Sequence, residues 1–316
     1  MDFVGLGVVL VLALVFAFLA VRSWRARRLW VKLVAGIPTT LLAVVFVAAL
    51  GLAIYGYSKV NKTYANPVAD IKVAGTPEQI AHGEKFARTC TGCHSTTGNF
   101  PLSGQDFAAD GPPLGTLWAA NLTQAHFKDW SDGEIIRAIR EGVSKDGRSL
   151  IIMPSHLFHN FSDDDVQAIV AYLRAQPAVE PNTPPKQINV VGAIMAGALL
   201  PDDIFTHQAP IIQPVIAPPA GTTAEYGHYL STVAGCVECH GAQLNGGQPS
   251  ANGPTPGPSL VAFAKQHSEA DFITTIRTGM TPEGHKLSED MPWKDFEKFS
   301  DDDLRALYAY MAVLGK

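Results

Sequence analysis

The pentapeptide Cys90-Thr91-Gly92-Cys93-His94 recurs later in the chain as Cys236-Val237-Glu238-Cys239-His240. The pattern C-x-x-C-H is the attachment signature of c-type haem, in which two thiols bond the porphyrin and the adjacent histidine binds its iron. All four cysteines of the 316-residue chain lie in these two motifs. The sequence therefore predicts two covalently bound haem c groups, and electron transfer as the function.

Two other uses of paired cysteines agree less well with the sequence. A structural zinc site usually combines two C-x-x-C pairs close together, whereas Cys90 and Cys236 are 146 residues apart. A thioredoxin-like dithiol would lie near a βαβ pattern, and neither motif is surrounded by one.

Two apolar segments precede the motifs. Residues 3–21 are an uninterrupted apolar run of 19 residues, and residues 33–57 are a run of 25 residues without a charge. A membrane-spanning helix requires about 20 apolar residues, so the sequence predicts a transmembrane hairpin over residues 1–58. Five basic residues lie between the two runs: Arg22, Arg25, Arg27, Arg28 and Lys32.

Short basic loops remain in the cytoplasm. The hairpin loop is therefore expected inside, with the N-terminus and everything after Tyr57 on the periplasmic side of a bacterial cytoplasmic membrane. Haem c is attached on that side, so topology and motif agree. A cleaved signal peptide is the alternative for the first run, but no basic segment precedes it and no A-x-A-like site is evident.

The net charge of −5 is unevenly distributed. Residues 1–57 carry about +4, so the remainder of the chain is near −9. A nucleic-acid-binding protein would need a basic face, and this charge distribution excludes that class.

The part after the hairpin contains an internal repeat. Residues 130–173 and 268–311 share a helical pattern, a glycine-containing turn, a Met-Pro pair and the stretch Phe-Ser-Asp-Asp-Asp, at an offset of 137 or 138 residues. Such self-similarity implies two domains of one fold. Ser162 and Ser300 are N-cap candidates, each with an aspartate three residues later.

No run alternates strongly enough to predict a sheet. The predicted fold is therefore all-α, a hairpin followed by two tandem domains. The expected divisions are a stalk at 59–76, domain one at 77–176, a proline-rich linker at 177–223 and domain two at 224–316. The apolar linker segment from Val190 to Leu200 is too short to span a membrane and is expected to pack on a domain or on a partner subunit.

These features resemble the class I c-type cytochrome family. In that family, C-x-x-C-H near the domain start is followed by a Met-Pro pair and a terminal helix with an aromatic residue, here Tyr172 or Tyr310. The resemblance covers residues 77–176 and 224–314. The tripeptide Asn121-Leu122-Thr123 and the R-x-G…G…M-P run look most like multihaem cytochromes of bacterial membranes, including cytochrome subunits of periplasmic alcohol and aldehyde dehydrogenases.

The resemblance implies Met153 and Met291 as the second axial ligands of the irons held by His94 and His240. Both methionines precede proline at matching places of the repeat. A thioether ligand favours reduced iron. The candidate cofactor-binding residues are thus Cys90, Cys93, His94, Met153, Cys236, Cys239, His240 and Met291.

Several other residues compete for the axial positions. Met280 ranks lower because its repeat equivalent is Val143, and Met195 falls in the linker without a counterpart. Histidines near the two Met-Pro pairs would give a haem of lower potential, and they are His156, His159 and His285.

Two weaker predictions concern the surroundings of the haems. Pro112-Pro113-Leu114 and Pro258-Ser259-Leu260 are expected to orient the histidine rings through a backbone carbonyl. Arg140 and Arg277, at equivalent positions, are expected either to pair with haem propionates or to lie on a solvated helix face.

The sequence therefore predicts a membrane-anchored dihaem cytochrome c. Single electrons are expected to tunnel between its partly exposed haem edges. Its expected donor is a membrane-embedded quinol-oxidising complex or a dehydrogenase, and its acceptor a soluble cytochrome or a terminal oxidase. Three alternatives remain open: a fixed cytochrome subunit of a dehydrogenase or oxidase, a dihaem peroxidase, and a haem-based gas sensor. No general acid, base or nucleophile constellation is evident, so no catalytic residue is predicted.

Overall fold

The computed structural model describes residues 1–109, 114–247 and 255–316. They form two compact units. The first contains Met1–Tyr64, Gln105–Ala119 and Thr183–Phe205, and the second contains Ala65–Gly104, Ala120–Asn182 and Thr206–Lys316.

Helices dominate both units, which confirms the predicted all-α class. In chain order the helices are α1 (Phe3–Trp24), α2 (Leu29–Val60), α3 (Pro77–Ala87), α4 (Thr91–His94), α5 (Gln124–Phe127), α6 (Asp132–Glu141), α7 (Ser155–Phe158), α8 (Asp163–Ala175), α9 (Val190–Ala198), α10 (Ala224–Val233), α11 (Cys236–His240), α12 (Leu260–Gln266), α13 (Glu269–Thr278) and α14 (Asp301–Leu314). Helix α2 includes a π-helical stretch, Lys32–Gly36. The described part of the chain also has 3₁₀ turns at Arg88–Cys90, Asp202–Ile204 and Trp293–Lys298.

Among the described residues, strands are limited to short pairs in the first unit. They are β1 (Gln105–Asp106), β2 (Gly115–Thr116), β3 (Trp118–Ala119) and β4 (Gln187–Ile188). Strand β1 pairs antiparallel with β3, and β2 pairs antiparallel with β4. The second pairing joins the linker to a loop that follows the first C-x-x-C-H motif.

Helices α1 and α2 contain the two predicted apolar runs and pack side by side. The Phe16 and Phe46 rings stack with centroids 5.5 Å apart, and Trp24 Nε1 donates a hydrogen bond of 2.9 Å to Thr40. Both helices are long and apolar enough to cross a membrane by length and composition. Most of their large apolar side chains face outward, as Val4 does with 80% of its surface exposed.

The two copies of the repeat place equivalent helices against each other through glycine. A Cβ atom on Gly83 of α3 would lie 1.9 Å from the Ala168 carbonyl oxygen of α8. A Cβ atom on Gly227 of α10 would lie at the same distance from the Ala306 carbonyl oxygen of α14. Each copy therefore has a close crossing between the helix before its C-x-x-C-H motif and its terminal helix.

The helix caps follow the sequence pattern. The Ser162 and Ser300 side chains accept hydrogen bonds from the backbone N–H groups of Asp165 and Asp303, which confirms both predicted N-caps. Helix α6 ends at Gly142, whose φ of 65° favours a residue without a Cβ atom.

The hydrophobic core of the second unit is one continuous cluster of residues from both copies. Phe86 of the first copy packs edge to face on Phe161, with ring centroids 5.2 Å apart, and on Phe299 of the second copy at 6.1 Å. The two copies therefore share one core within this unit.

The chain segments around the first copy also pack on it. In the predicted stalk, Val73 is buried and its N–H donates to the Asp132 carboxylate at 2.9 Å. In the predicted linker, the Val215 carbonyl accepts from the Asp163 N–H at 2.8 Å. The stalk thus contacts α6 through Val73, and the linker contacts the start of α8 through Val215.

Candidate haem-binding sites

Each C-x-x-C-H motif forms a short helical turn directly after a long helix. Helix α4 follows α3 through a 3₁₀ turn, and α11 follows α10 at Gly235, whose φ is 79°. Residues three apart lie on one side of a helical turn, so both thiols of a motif can face one porphyrin edge. The cysteines are free: Cys93 is exposed, and Cys90, Cys236 and Cys239 are half-buried.

The two motif histidines have the same environment. His94 Nδ1 donates to the Ala120 carbonyl oxygen at 2.7 Å, and His240 Nδ1 donates to the Pro258 carbonyl oxygen at 2.7 Å. This bond fixes the ring orientation and the tautomer, and it leaves Nε2 with a lone pair for a metal.

One of the two predicted orienting segments is correct and the other is not. Pro258 supplies the carbonyl in the second copy, as expected. In the first copy the carbonyl belongs to Ala120, because the loop after the motif is longer there and shifts the equivalent residues toward the C-terminus. Of the segment predicted for this role, Pro112 and Pro113 lie outside the described residues.

A leucine present in both copies could have identified Ala120 as the residue whose carbonyl orients His94. The Leu122 N–H donates to the Leu102 carbonyl at 2.8 Å, and the Leu260 N–H donates to the Leu244 carbonyl at 2.9 Å. Leu122 and Leu260 each stand two residues after the orienting carbonyl. The tripeptide Asn121-Leu122-Thr123 carried this signal in the sequence.

Burial determines the charge states of the motif side chains. It lowers the pKa of His94 and of His240, so both rings are neutral near pH 7 and can donate a lone pair. Burial also raises the pKa of the Cys90 and Cys236 thiols to about 12. Structural zinc requires several thiolate or imidazole ligands together, and the described residues contain no cluster of three or more His, Cys, Asp or Glu side chains suited to a metal.

Met153 and Met291 occupy equivalent positions beside the core. Both are half-buried and pack against the hydrophobic cluster, as do Cys90 and Cys236. The Ser155 N–H donates to the Met153 carbonyl at 2.7 Å, and the Trp293 N–H donates to the Met291 carbonyl at 2.8 Å.

The competing methionine is placed differently. Met280 is 40% exposed and bridges to Lys286. Val143 bridges to Ser149 in the same way in the first copy, which confirms that Met280 is the repeat equivalent of Val143. Met195 lies in α9 of the first unit.

The competing histidines have other environments. His156 Nε2 lies 3.0 Å from the Glu238 carboxylate, and His159 Nδ1 donates to the Arg140 carbonyl at 3.1 Å. His285 is exposed. These environments favour Met153 and Met291 as the axial ligands, and that assignment stays a prediction.

Backbone strain marks the position before Met153. Ile152 has a φ of 71°, which is uncommon for a β-branched residue. Such conformations cost about 1–3 kcal/mol and concentrate at functional sites. The sequence offers no signal for this strain.

Each motif also contacts the segment that follows the Met-Pro pair of the other copy. Thr91 Oγ1 donates to Asp295 Oδ1 at 3.3 Å, and Glu238 accepts from His156. Burial raises the pKa of Asp295 to about 6. These reciprocal contacts join residues far apart in the chain, and sequence reasoning missed them.

The two predicted arginines form equivalent ion pairs. Arg140 Nη1 lies 2.6 Å from Asp163, and Arg277 Nη2 lies 3.0 Å from Asp301. Arg140 is only 4% exposed, so it does not lie on a solvated face. Its Nε and Nη2 are buried without a hydrogen-bond partner among the described residues, and propionate pairing stays a prediction.

Comparison with protein families finds one match on each copy. Residues 80–177 match the model described as cytochrome c, and residues 230–311 match the model described as cytochrome C oxidase, cbb3-type, subunit III. The chain therefore carries cytochrome c domains, which bind haem c covalently. Both matched regions are therefore domains of the class I c-type cytochrome family.

Similar proteins are components of bacterial dehydrogenases. The chain is 30% identical to a nicotinate dehydrogenase subunit of Pseudomonas putida over 72% of its own length and 20% of that protein. It is 31% identical to the gluconate 2-dehydrogenase cytochrome c subunit of Pantoea cypripedii, over 51% of this chain and 37% of that protein.

A third relative is the cytochrome c subunit of the quinone-dependent alcohol dehydrogenase of Gluconacetobacter polyoxogenes. The identity is 26%, over 78% of this chain and 59% of that protein. The chain thus spans from one fifth to about three fifths of the length of these relatives.

Proposed function

We propose that this protein is a membrane-anchored, two-haem cytochrome c subunit of a dehydrogenase. Each of its two domains would hold one haem c. It would receive electrons singly from the partner on the outer face of the cytoplasmic membrane and deliver them to a membrane-embedded electron-transport complex, a soluble cytochrome or a terminal oxidase.

The observation that carries the two-haem proposal is the duplicated histidine geometry. His94 and His240 each donate from Nδ1 to a backbone carbonyl at 2.7 Å, and each follows a pair of free cysteines. When bound, haem c supplies a one-electron iron couple. The neutral imidazoles would bind one side of each iron, and the Met153 and Met291 thioethers would fill the other.

Filled axial positions favour electron transfer over peroxidase or gas-sensing activity. A peroxidase needs one haem with a vacant or displaceable ligand, and a gas sensor must bind carbon monoxide in its reduced form. The half-buried Met153 and Met291, packed at the core edge, support stable ligation.

The similar proteins support the proposal of a dehydrogenase partner. These proteins are subunits of nicotinate, gluconate and alcohol dehydrogenases. This makes a fixed subunit the favoured form of the proposal over a free carrier. The outward orientation rests on the basic loop between α1 and α2, because such loops stay in the cytoplasm.

The haem count tests the first part of the proposal. Intact-mass measurement of the purified, denatured chain should show the polypeptide plus two haems. The double variant Cys90→Ser/Cys93→Ser should keep one haem, and the matched variant Cys236→Ser/Cys239→Ser should keep the other. A native chain that carries one haem or none would contradict the proposal.

Purification in mild detergent tests the partner. The native complex should contain a dehydrogenase subunit in fixed stoichiometry with this chain. Recovery of this chain alone, with full haem content, would instead favour a free carrier. Rapid peroxide turnover or carbon monoxide binding by the isolated chain would favour the enzyme or sensor alternatives.

A further inference from the structure

We infer that α9, in the segment between the two haem-binding domains, is a third membrane-contacting helix that lies in the outer leaflet against the hairpin. This inference rests on the proposed membrane anchoring by α1 and α2. It assigns the exposed face of α9 to lipid hydrocarbon and not to a protein partner.

The composition of α9 is the first argument. Val190–Ala198 contains no polar or charged side chain. Nine residues extend about 14 Å as a helix, which is too short to span a bilayer. A helix that is apolar on every side is stable only where protein or lipid covers it.

Small residues bring one face of α9 against α2. A Cβ atom on Gly56 would lie 1.9 Å from the Ala193 carbonyl oxygen, and one on Gly197 would lie 2.2 Å from the Leu52 carbonyl oxygen. Ala53 and Ala193 are completely buried. Close backbone approach through glycine and alanine is typical of helix packing inside membranes.

The other face of α9 is apolar and open. Val191 is 50% exposed, and the following Leu199 is 68% exposed. On the turns of α2 that contact α9, Ile54 and Tyr55 are 55% and 51% exposed. If α2 lies in lipid at this level, the outer face of α9 meets the same hydrocarbon.

Polar groups mark the edge of this apolar region at one end of the hairpin. Lys59 Nζ lies 2.8 Å from Asp202 and donates to the Leu200 carbonyl at 2.8 Å. Leu52, in contact with α9, lies seven residues before Lys59, or about 10 Å along the helix. Interfacial helices lie at a comparable depth below the charged surface, about 5–10 Å.

Lipid photolabelling tests the inference on the intact protein. The purified holoprotein is reconstituted into phosphatidylcholine–phosphatidylglycerol vesicles that contain a diazirine-bearing phospholipid, illuminated, digested and mapped by mass spectrometry. Native membrane vesicles loaded with the same lipid are treated in parallel. Adducts are expected on Val191 or Leu199 and on the Ile54–Tyr55 turn in both preparations.

The outcomes separate this inference from the anchoring proposal. Adducts on the hairpin without adducts on α9 would overturn the α9 inference and leave the anchor intact. Absence of adducts from both would overturn the anchor itself. Adducts on α9 in the vesicles of purified protein but not in native membranes would show that a partner protein covers this face, which also contradicts the inference.

Charge substitution gives a second measurement. Val191→Lys/Leu199→Lys should lose the lipid adducts of the α9 peptide and keep those of the hairpin. The matched variant Ile212→Lys/Ile216→Lys changes two residues that are 80% and 84% exposed, and it should keep the α9 adducts. Equal labelling of α9 in both variants would contradict its contact with lipid.

Discussion

The ammonium group of Lys85 lies 3.3 Å from the carboxylate of Asp303, 218 residues later in the chain. Both side chains are about nine-tenths buried. Asp303 is the third residue of α14, and Tyr229 of the second copy donates in the reverse direction to Asp165, the third residue of α8. The N-terminus of each terminal helix therefore binds a side chain from the other copy.

Replacement of Lys85 by methionine should destabilise the protein strongly. Removal of one partner of a buried ion pair leaves an uncompensated charge, which costs about 3–5 kcal/mol. Urea unfolding of the holoprotein, followed by far-UV circular dichroism, would measure the loss. Lys286→Ala is the matched control, because Lys286 pairs with Glu289 on an exposed surface. Equal stability of the two variants would show that the buried pair contributes little.

Alanine at Gly83 should also destabilise the first copy. The added Cβ would meet the Ala168 carbonyl at 1.9 Å, and forced separation of packed elements costs about 1–3 kcal/mol. Gly92→Ala is the control, since a Cβ there meets nothing within 4 Å. Thermal unfolding should show a lower midpoint for Gly83→Ala alone, and identical midpoints would contradict the crossing geometry.

The axial-ligand assignment predicts a specific spectral change. Met291→Ala should abolish the sulfur-to-iron charge-transfer band of one haem in the far red, and Met153→Ala that of the other. Met280→Ala should leave both bands unchanged, because Met280 is 40% exposed and bridges to Lys286. An unchanged spectrum for Met153→Ala or Met291→Ala would remove that methionine from the ligand set.

Asp295 should make stability depend on pH. Its pKa is raised from an ordinary 3.8 to about 6 by burial, so the folded chain binds this proton more tightly than the unfolded chain. Its contribution to stability is therefore full below about pH 4 and is lost as the pH rises through 6. Each pKa unit corresponds to about 1.4 kcal/mol, and partial exposure reduces the total to roughly 1–2 kcal/mol.

The variant Asp295→Asn tests this dependence. It should be more stable than the native protein above pH 6 and equal to it near pH 4, as measured by urea unfolding across that range. Asp129→Asn, an exposed substitution, should keep the native pH profile. A native profile in Asp295→Asn would show that other groups determine it.

Local sequence patterns predicted much of the secondary structure. The apolar runs predicted α1 and α2, and Ser162 and Ser300 predicted the starts of α8 and α14, because capping and hydrophobic length act within a few residues. The repeat predicted that Met280 corresponds to Val143.

The sequence by itself determined the covalent chemistry, since two thiols and a histidine on one turn define a haem attachment motif. Only the tertiary structure decided which carbonyl orients His94, because a longer loop in the first copy moves that role to Ala120. It also decided that Asp295 meets Thr91 and that α9 packs on α2. The last two contacts join residues more than a hundred positions apart, and their pairing depends on the shape of the folded chain and not on any local pattern.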